Sequence, residues 1–339
     1  MDLETFFTLL YVLVDDWYKA DVVMHKPKTG GAKPRMSDSE ILTLALAGEW
    51  RVGVPWQSER GLVRYIHANG LPMFPRMLKR SGFNKRVRHL WGAFILLQKV
   101  VADLLDNPEA LYECVDTLPL PAFSLGQARR DKGHWLWTST LGRGAYGEWF
   151  WGDHLLVAVS RSQAITGWLL GTAAINDRWL LEAFLSSRAG QPRLVEPARS
   201  PTDGRANYTW PPVGAIGPFQ ALGQAKDRPY LADKGFNGWR WACHWNTHYQ
   251  ATVITVPPDN AQTQAPWPPP WKVWLAHHRQ IIETVFARLE QVFHIKHLNA
   301  HSRWGQYTRI AVKLAAYNIG LFINRLLGRS PGTLATLLC

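Results

Sequence analysis

One stretch, His277 to His297 (HHRQIIETVFARLEQVFHIKH), constrains this chain more than any other. Ile282, Val285, Phe286, Leu289, Val292 and Phe293 recur at helical spacing, so the stretch reads as an amphipathic helix with one buried face. Arg279, Glu283 and Glu290 project beside that stripe. Arg279 and Glu283 stand four residues apart and are therefore neighbours on the helix surface. Two earlier segments carry similar acids. Asp116 ends the apolar run LYECV, and Asp233 ends YLA and opens DKGFNG. A carboxylate at the end of each of two short strands, with a glutamate on a late helix, can hold divalent cations. Hard cations such as magnesium take oxygen ligands and use few carboxylates, leaving room for substrate phosphate.

The net charge of +12 and the sequence pI of ≈ 9.8 favour a polyanionic partner, either nucleic acid or an anionic membrane surface. No apolar run is long enough to span a bilayer. The run FFTLLYVLV is flanked by Asp2, Glu4, Asp15 and Asp16, the wrong charge for a secretion signal. Three scattered cysteines, Cys114, Cys243 and Cys339, predict a reducing cytoplasm without a disulfide framework. A basic cytoplasmic chain has DNA or RNA as its first expected partner, and no membrane.

With 339 residues the chain has room for two domains. Residues 1–108 read as helical. Ser37 to Glu40 form a capping box before ILTLALAGEW, and helices are expected over 58–66 and 83–105. Lys26, Lys28, Lys33 and Arg35 cluster in one loop; Arg76, Lys79, Arg80, Lys85, Arg86 and Arg88 follow. Any single cluster is better explained by a solvated helix face. Several on one small helical region predict a DNA-contacting domain.

From 111 the period changes. LYECVD reads as a short buried strand, followed by a basic turn region with Arg129, Arg130 and Lys132. Strands over 149–160 and 164–174 are joined by a short SRSQ turn. Asn176 and Asp177 cap a helix, RWLLEAFLSS. Residues 189–228 are rich in Pro and Gly and read as a long connection or insertion. YLAD is a strand, GWRWACHWNTH a helix, and QATVITV (250–256) a strand. The proline-rich 257–271 is expected to be irregular. The Glu283 helix and a last helix near 306–327 complete the chain. This order predicts an α/β fold with a mixed sheet, and ligand sites of open sheets collect at the strand ends where Asp116 and Asp233 stand.

Each acid alone has a plainer reading. Asp116 before Thr-Leu-Pro suits a turn cap, Asp233 in DKG suits a tight turn, and Glu283 suits an exposed charge paired with Arg279. Their joint placement tips the balance. His294, His297 and His301 lack a zinc spacing and paired cysteines, so phosphate contact or packing explains them better. Glu148 and Asp153 lie in or beside a strand and match no block. No nucleophile elbow and no phosphate loop is present. Among the 18 tryptophans, Trp149, Trp151, Trp168 and Trp179 read as core. Trp267, Trp271 and Trp274 either stack on an unpaired base or pin a loop to the surface, and pinning is the better reading.

Three blocks, VDTLPLP, LADKGFNG and RQIIETVFARLEQVF with HIKHLNAHS, together resemble those of bacterial insertion-sequence transposases of the DDE type. SDSEILTLALAGEW, SERGLVRYI and LPMFPRMLKRSGFNKRVRHL resemble the helical region of such proteins, so the resemblance covers nearly the whole chain. It implies a ribonuclease-H-like catalytic domain over 109–328, a mixed sheet flanked by helices, preceded by an all-helical DNA-binding domain. It implies two magnesium ions, replaceable by manganese, held by Asp116, Asp233 and Glu283, with Arg279 near the DNA phosphates. Cleavage at the ends of a mobile element and joining of the 3′-hydroxyl to target DNA would follow, by a homodimer on double-stranded DNA in a bacterial nucleoid. Lys234, Arg129, Arg130, Lys132, Lys85 and Arg86 are the expected phosphate contacts. A related subgroup carries a tyrosine and a lysine where this chain has Ala276 and Glu290, so that subgroup is not matched; Glu290 is the alternative third acid. Two other readings stay open: a metal-dependent nuclease of the same fold, and a catalytically inactive DNA-binding remnant.

Overall fold

The computed structural model describes residues 1–22, 34–106, 110–123, 139–144, 147–190, 216–222, 228–256, 267–300 and 302–338. They form two compact units, Met1–Leu104 with Ala287–Cys339, and Leu105–Phe286.

The first unit is helical. Asp2 caps α1 (Leu3–Trp17), and the expected box of Ser37 and Glu40 caps α2 (Asp38–Ala47). Ser58 caps α3 (Glu59–Asn69), which closes on Gly70 in the left-handed region that glycine tolerates. The single helix expected over 83–105 is two, α4 (Arg80–His89) and α5 (Trp91–Leu105), broken at Leu90. The break falls where the basic RVRH turn gives way to an apolar run. Residues 287–328, grouped by the sequence with the later strands, pack here instead. The physical reason is aromatic and apolar: Phe293 meets Trp50 edge-on at 4.9 Å, and the long C-terminal helix Arg303–Leu326 is buried along most of its length.

The second unit is built on a seven-stranded mixed sheet. Its strands are β1 (Glu113–Phe123), β2 (Thr140–Arg143), β3 (Trp149–Ser160), β4 (Ile165–Thr172), β5 (Ile216–Leu222), β6 (Tyr230–Ala232) and β7 (Val253–Ile254). The order is β5-β4-β3-β1-β6-β7, with β2 pairing β3. The β1–β6 and β6–β7 pairs are parallel, and the others are antiparallel.

Four expectations are corrected in this unit. The first strand does not stop at Asp116 but runs on through two prolines to Phe123, paired with β3. The Glu113 N–H points to the β6 side, where it donates to the Pro229 carbonyl, so by alternation Pro119 and Pro121 also face that side. Pairing with β6 ends at Val115, so the missing donors of both prolines cost no ladder bond. The connection 189–228 contains a strand, β5, on the edge of the sheet, where Pro218 is tolerated. The proline-rich 257–271 ends in helix, because Pro269 and Pro270 open the helix Pro269–Gln291 in its first turn, where N–H groups need no partner. The strand expected over 250–256 shrinks to Val253–Ile254.

Helices cover both faces of the sheet. α6 (Asp177–Arg188) and α7 (Trp239–Tyr249) pack on one face, around Val115, Leu156, Leu169, Trp179, Phe184 and Trp245. Glu182 is fully buried in this cluster, where it accepts from Trp245 Nε1 at 2.9 Å and from the Tyr249 hydroxyl. The helix Pro269–Gln291, α8, meets the other face: the thiol of Cys114 lies 3.4 Å from the His278 carbonyl. The C-terminal helix Arg303–Leu326 is α9.

Candidate active site

Strand register places the two aspartates. β1 and β6 are parallel neighbours, with Val115 opposite Ala232, so the next residue on each chain is Asp116 and Asp233. Both reach one cation on α8. Arg279 Nη2 lies 3.4 Å from Asp116 Oδ2, and Nη1 lies 3.3 Å from Asp233 Oδ1. Asp116 Oδ1 also accepts from the Thr117 N–H at 2.8 Å. Asp233 occupies the cap position of the 3-10 turn Lys234–Phe236, yet its side chain makes no capping hydrogen bond. The plain turn reading therefore does not account for its carboxylate.

Burial pushes the Asp116 carboxyl up to about 6. The Thr117 N–H and Arg279 oppose that rise, while the charges of Asp233 and Asp177 add to it. A carboxylate held this close to neutral pH, beside a second one, is the kind of group found at sites that await a cation or a proton.

The sequence treated Asp177 only as part of a helix cap. In the structure it accepts from the Thr117 hydroxyl at 3.0 Å and lies 4.0 Å from His154 Nδ1. Burial raises the Asp177 carboxyl and lowers the His154 imidazole. Thr117 and His154 carry no motif of their own. The one available signal was alternation along β1, which turns Asp116 and Thr117 to opposite faces.

Glu283 is exposed on α8, one turn beyond Arg279, whose ion pairs go to the two aspartates. Among the described residues, no three His, Cys, Asp or Glu side chains converge to hold a metal. Glu290 belongs to the helical unit and pairs with Lys296 at 2.7 Å.

Lys234 is exposed beside Asp233, and Lys85 is exposed on α4. Arg86 is engaged with Asp38. Arg129, Arg130, Lys132, Lys26, Lys28, Lys33 and His301 lie outside the described residues. Trp168 and Trp179 are buried as expected, but Trp149 is exposed at the start of β3 and Trp151 is half-buried. Trp267 lines a cleft of ≈ 420 Å³ with Phe236, Trp239, Trp245 and Ile254, just past Asp233. Trp271 packs its ring 6.2 Å from Trp267 and is 61% exposed, and Trp274 stacks on His278 at 4.3 Å.

Residues 219–319 match the family model described as a transposase DDE domain. Over that stretch, just under a third of its length, the chain is similar to the transposase DDE domain. The matched stretch contains Asp233, Arg279 and Glu283, and Asp116 precedes it. The mixed sheet flanked by helices, with a helical region ahead of it, is the ribonuclease-H-like arrangement of such domains. No curated protein matches the chain. No described helix is long and apolar enough to cross a membrane.

Proposed function

We propose that this DDE transposase cleaves phosphodiesters at the ends of its own element and joins the freed 3′-hydroxyl to target DNA. The observation that carries the reading is the single guanidinium of Arg279 set between Asp116 and Asp233, on strands adjacent in the sheet. The donor set fits a hard divalent cation, since both groups offer carboxylate oxygen and Asp116 keeps a net electrostatic cost after its contacts with Thr117 and Arg279. Asp116 and Asp233 would hold magnesium or manganese, and Glu283 is the third ligand this reading assigns. Two such ions, when bound, supply Lewis acidity at the attacking and leaving oxygens of a phosphodiester. Arg279 balances the paired aspartates and offers N–H donors that suit phosphate oxygens. Lys234 and Lys85 project into solvent, where they can neutralise backbone phosphates; such contacts set affinity, not sequence choice. A homodimer would bring two element ends together.

The test is magnesium-dependent cleavage of a plasmid carrying this gene with its native flanks, with wild type beside Asp233→Asn. Cuts at the two element ends, absent in the variant, are expected. Scattered cuts that the variant loses would instead mean a general nuclease. Binding to the flanks without cleavage would leave an inactive DNA-binding protein, and cleavage surviving in the variant would remove Asp233 from the site.

Trp271 bears on how DNA is held. Its exposed ring makes little core contact, so Trp271→Ala is expected to lower end cleavage while leaving the melting temperature unchanged, through loss of stacking on an unpaired base. A matching fall in melting temperature would return Trp271 to a packing role.

A further inference from the structure

We propose that Asp177 is a positioning residue of the Asp116–Asp233 centre, fixing the Asp116 carboxylate through Thr117. The inference rests on the transposase reading above.

Asp177 is the first residue of α6, but the helix does not need its carboxylate as a cap. Asn176 already accepts from the Arg178 N–H at 3.0 Å. The Asp177 side chain turns to the sheet. Its Oδ1 accepts from the Thr117 hydroxyl at 3.0 Å, while the Thr117 main-chain N–H donates to Asp116 Oδ1 at 2.8 Å. Thr117 is thus held by Asp177 through its side chain and holds Asp116 through its backbone. The two groups point to opposite faces of β1, so Asp177 acts from behind the sheet and does not itself join the Asp116 carboxylate.

Two further observations place Asp177 as more than a helix-end charge. A Cβ built on Gly235, two residues past Asp233, would sit 3.4 Å from Asp177 Oδ2, so the same carboxylate lies against the turn that carries the second aspartate. On its other side is His154, whose Nδ1 is buried without a hydrogen-bond partner, 4.0 Å from Asp177 Oδ1. A third carboxylate so close to the other two adds its own repulsion to theirs, and its charge raises the Asp116 carboxyl. Groups that orient a ligand in this way typically change metal affinity by about 10- to 100-fold when removed.

The test compares Asp177→Ala, Asp177→Asn, Thr117→Val, Thr117→Ser and Asp116→Asn in the full chain. Manganese binding is read from the loss of the free-ion paramagnetic signal, alongside magnesium dependence of end cleavage and affinity for element-end DNA. Asp177→Ala and Thr117→Val are expected to weaken manganese binding by about ten-fold or more, with DNA affinity unchanged. Asp177→Asn keeps an acceptor for the Thr117 hydroxyl and Thr117→Ser keeps the donor, so both are expected to restore binding. Wild-type binding in Asp177→Ala and Thr117→Val, with binding lost in Asp116→Asn, would overturn the inference and leave the transposase reading intact. Asp177→Asn as weak as Asp177→Ala would also overturn it, because the charge and not the hydrogen bond would then matter. Wild-type binding and cleavage in Asp116→Asn would overturn both. If Asp177→Ala does not fold, the Thr117 pair decides alone.

Discussion

Asp116→Asn is expected to reduce end cleavage to the level of an enzyme-free control and, at pH 7.5, to raise the melting temperature of the same protein. The two effects have one cause. The Asp116 carboxyl is pushed up from 3.8 to about 6, first by burial, so ionising it costs the folded state. Because the folded value lies above the unfolded one, the folded chain holds this proton more tightly. Stability from this group is therefore fully present below about pH 4, falls as pH rises towards 6, and stays lower above it. One pKa unit corresponds to about 1.4 kcal/mol, and the net rise already includes the Arg279 attraction, so the relief at pH 7.5 is on the order of 1–3 kcal/mol. Asparagine has no proton to lose and keeps an acceptor for the Thr117 N–H. Thermal melts of both proteins from pH 4 to 8 give the check. The variant should be the more stable at pH 7.5, and the difference should vanish near pH 4. A variant less stable at pH 7.5 would mean that Arg279 outweighs burial. Cleavage retained by the variant would take Asp116 out of the chemistry.

What the sequence made legible followed from local rules. Ser37 and Asn176 were readable as caps because capping needs only a short polar side chain one turn ahead of its target. β3 and β4 were readable because their apolar runs are bounded by the SRSQ turn. Asp233 was placed at the end of its strand, and β6 does end at Ala232. What failed needed partners distant in sequence. That β1 continues through Pro119 and Pro121 depends on where β6 stops, and no local pattern around Asp116 contains that fact. β5 exists because the edge of β4 is there to pair with it. The break at Leu90 and the packing of Phe293 against Trp50 follow from burial choices between segments far apart in the chain. At the site, the two aspartates were legible as separate acids, Asp233 at a strand end and Asp116 wrongly so, but their shared cation was not. The sequence offered Arg279 a partner one turn away, Glu283, while the structure gives it Asp116 and Asp233. Asp177 was legible only as a cap, because its tie to Thr117 crosses from helix to sheet.

Glu49→Gln is expected to be the most destabilising of the conservative substitutions in the helical unit. The Glu49 carboxylate is 5% exposed and faces Lys313 at 2.5 Å, Arg51 at 3.1 Å and Arg309 at 3.5 Å. Burial opposes its ionisation, but the three cations hold its carboxyl below the usual range. Gln keeps the shape and removes the charge, so Lys313, itself almost fully buried and pushed down to about 8 by burial, is left beside two arginines without its anion. Breaking a buried pair from one side typically costs about 3–5 kcal/mol, whereas replacing both partners by apolar groups is far milder. Urea midpoints should therefore fall sharply in Glu49→Gln and recover in part in Glu49→Gln with Lys313→Met, since Met carries no charge to strand. The pH dependence separates this account from simple loss of packing. With Glu49 gone, the Lys313 ammonium loses the attraction that raised its pKa, so the folded value drops further below the unfolded one. Stability from Lys313 then rises with pH once the solution passes that folded value. The deficit of Glu49→Gln against wild type should accordingly be larger at pH 6 than at pH 9. A deficit that does not change with pH would assign the loss to packing, and a deficit under about 1 kcal/mol at pH 6 would mean that water or Glu59 compensates the cluster, Glu59 already lying 3.3 Å from Arg309.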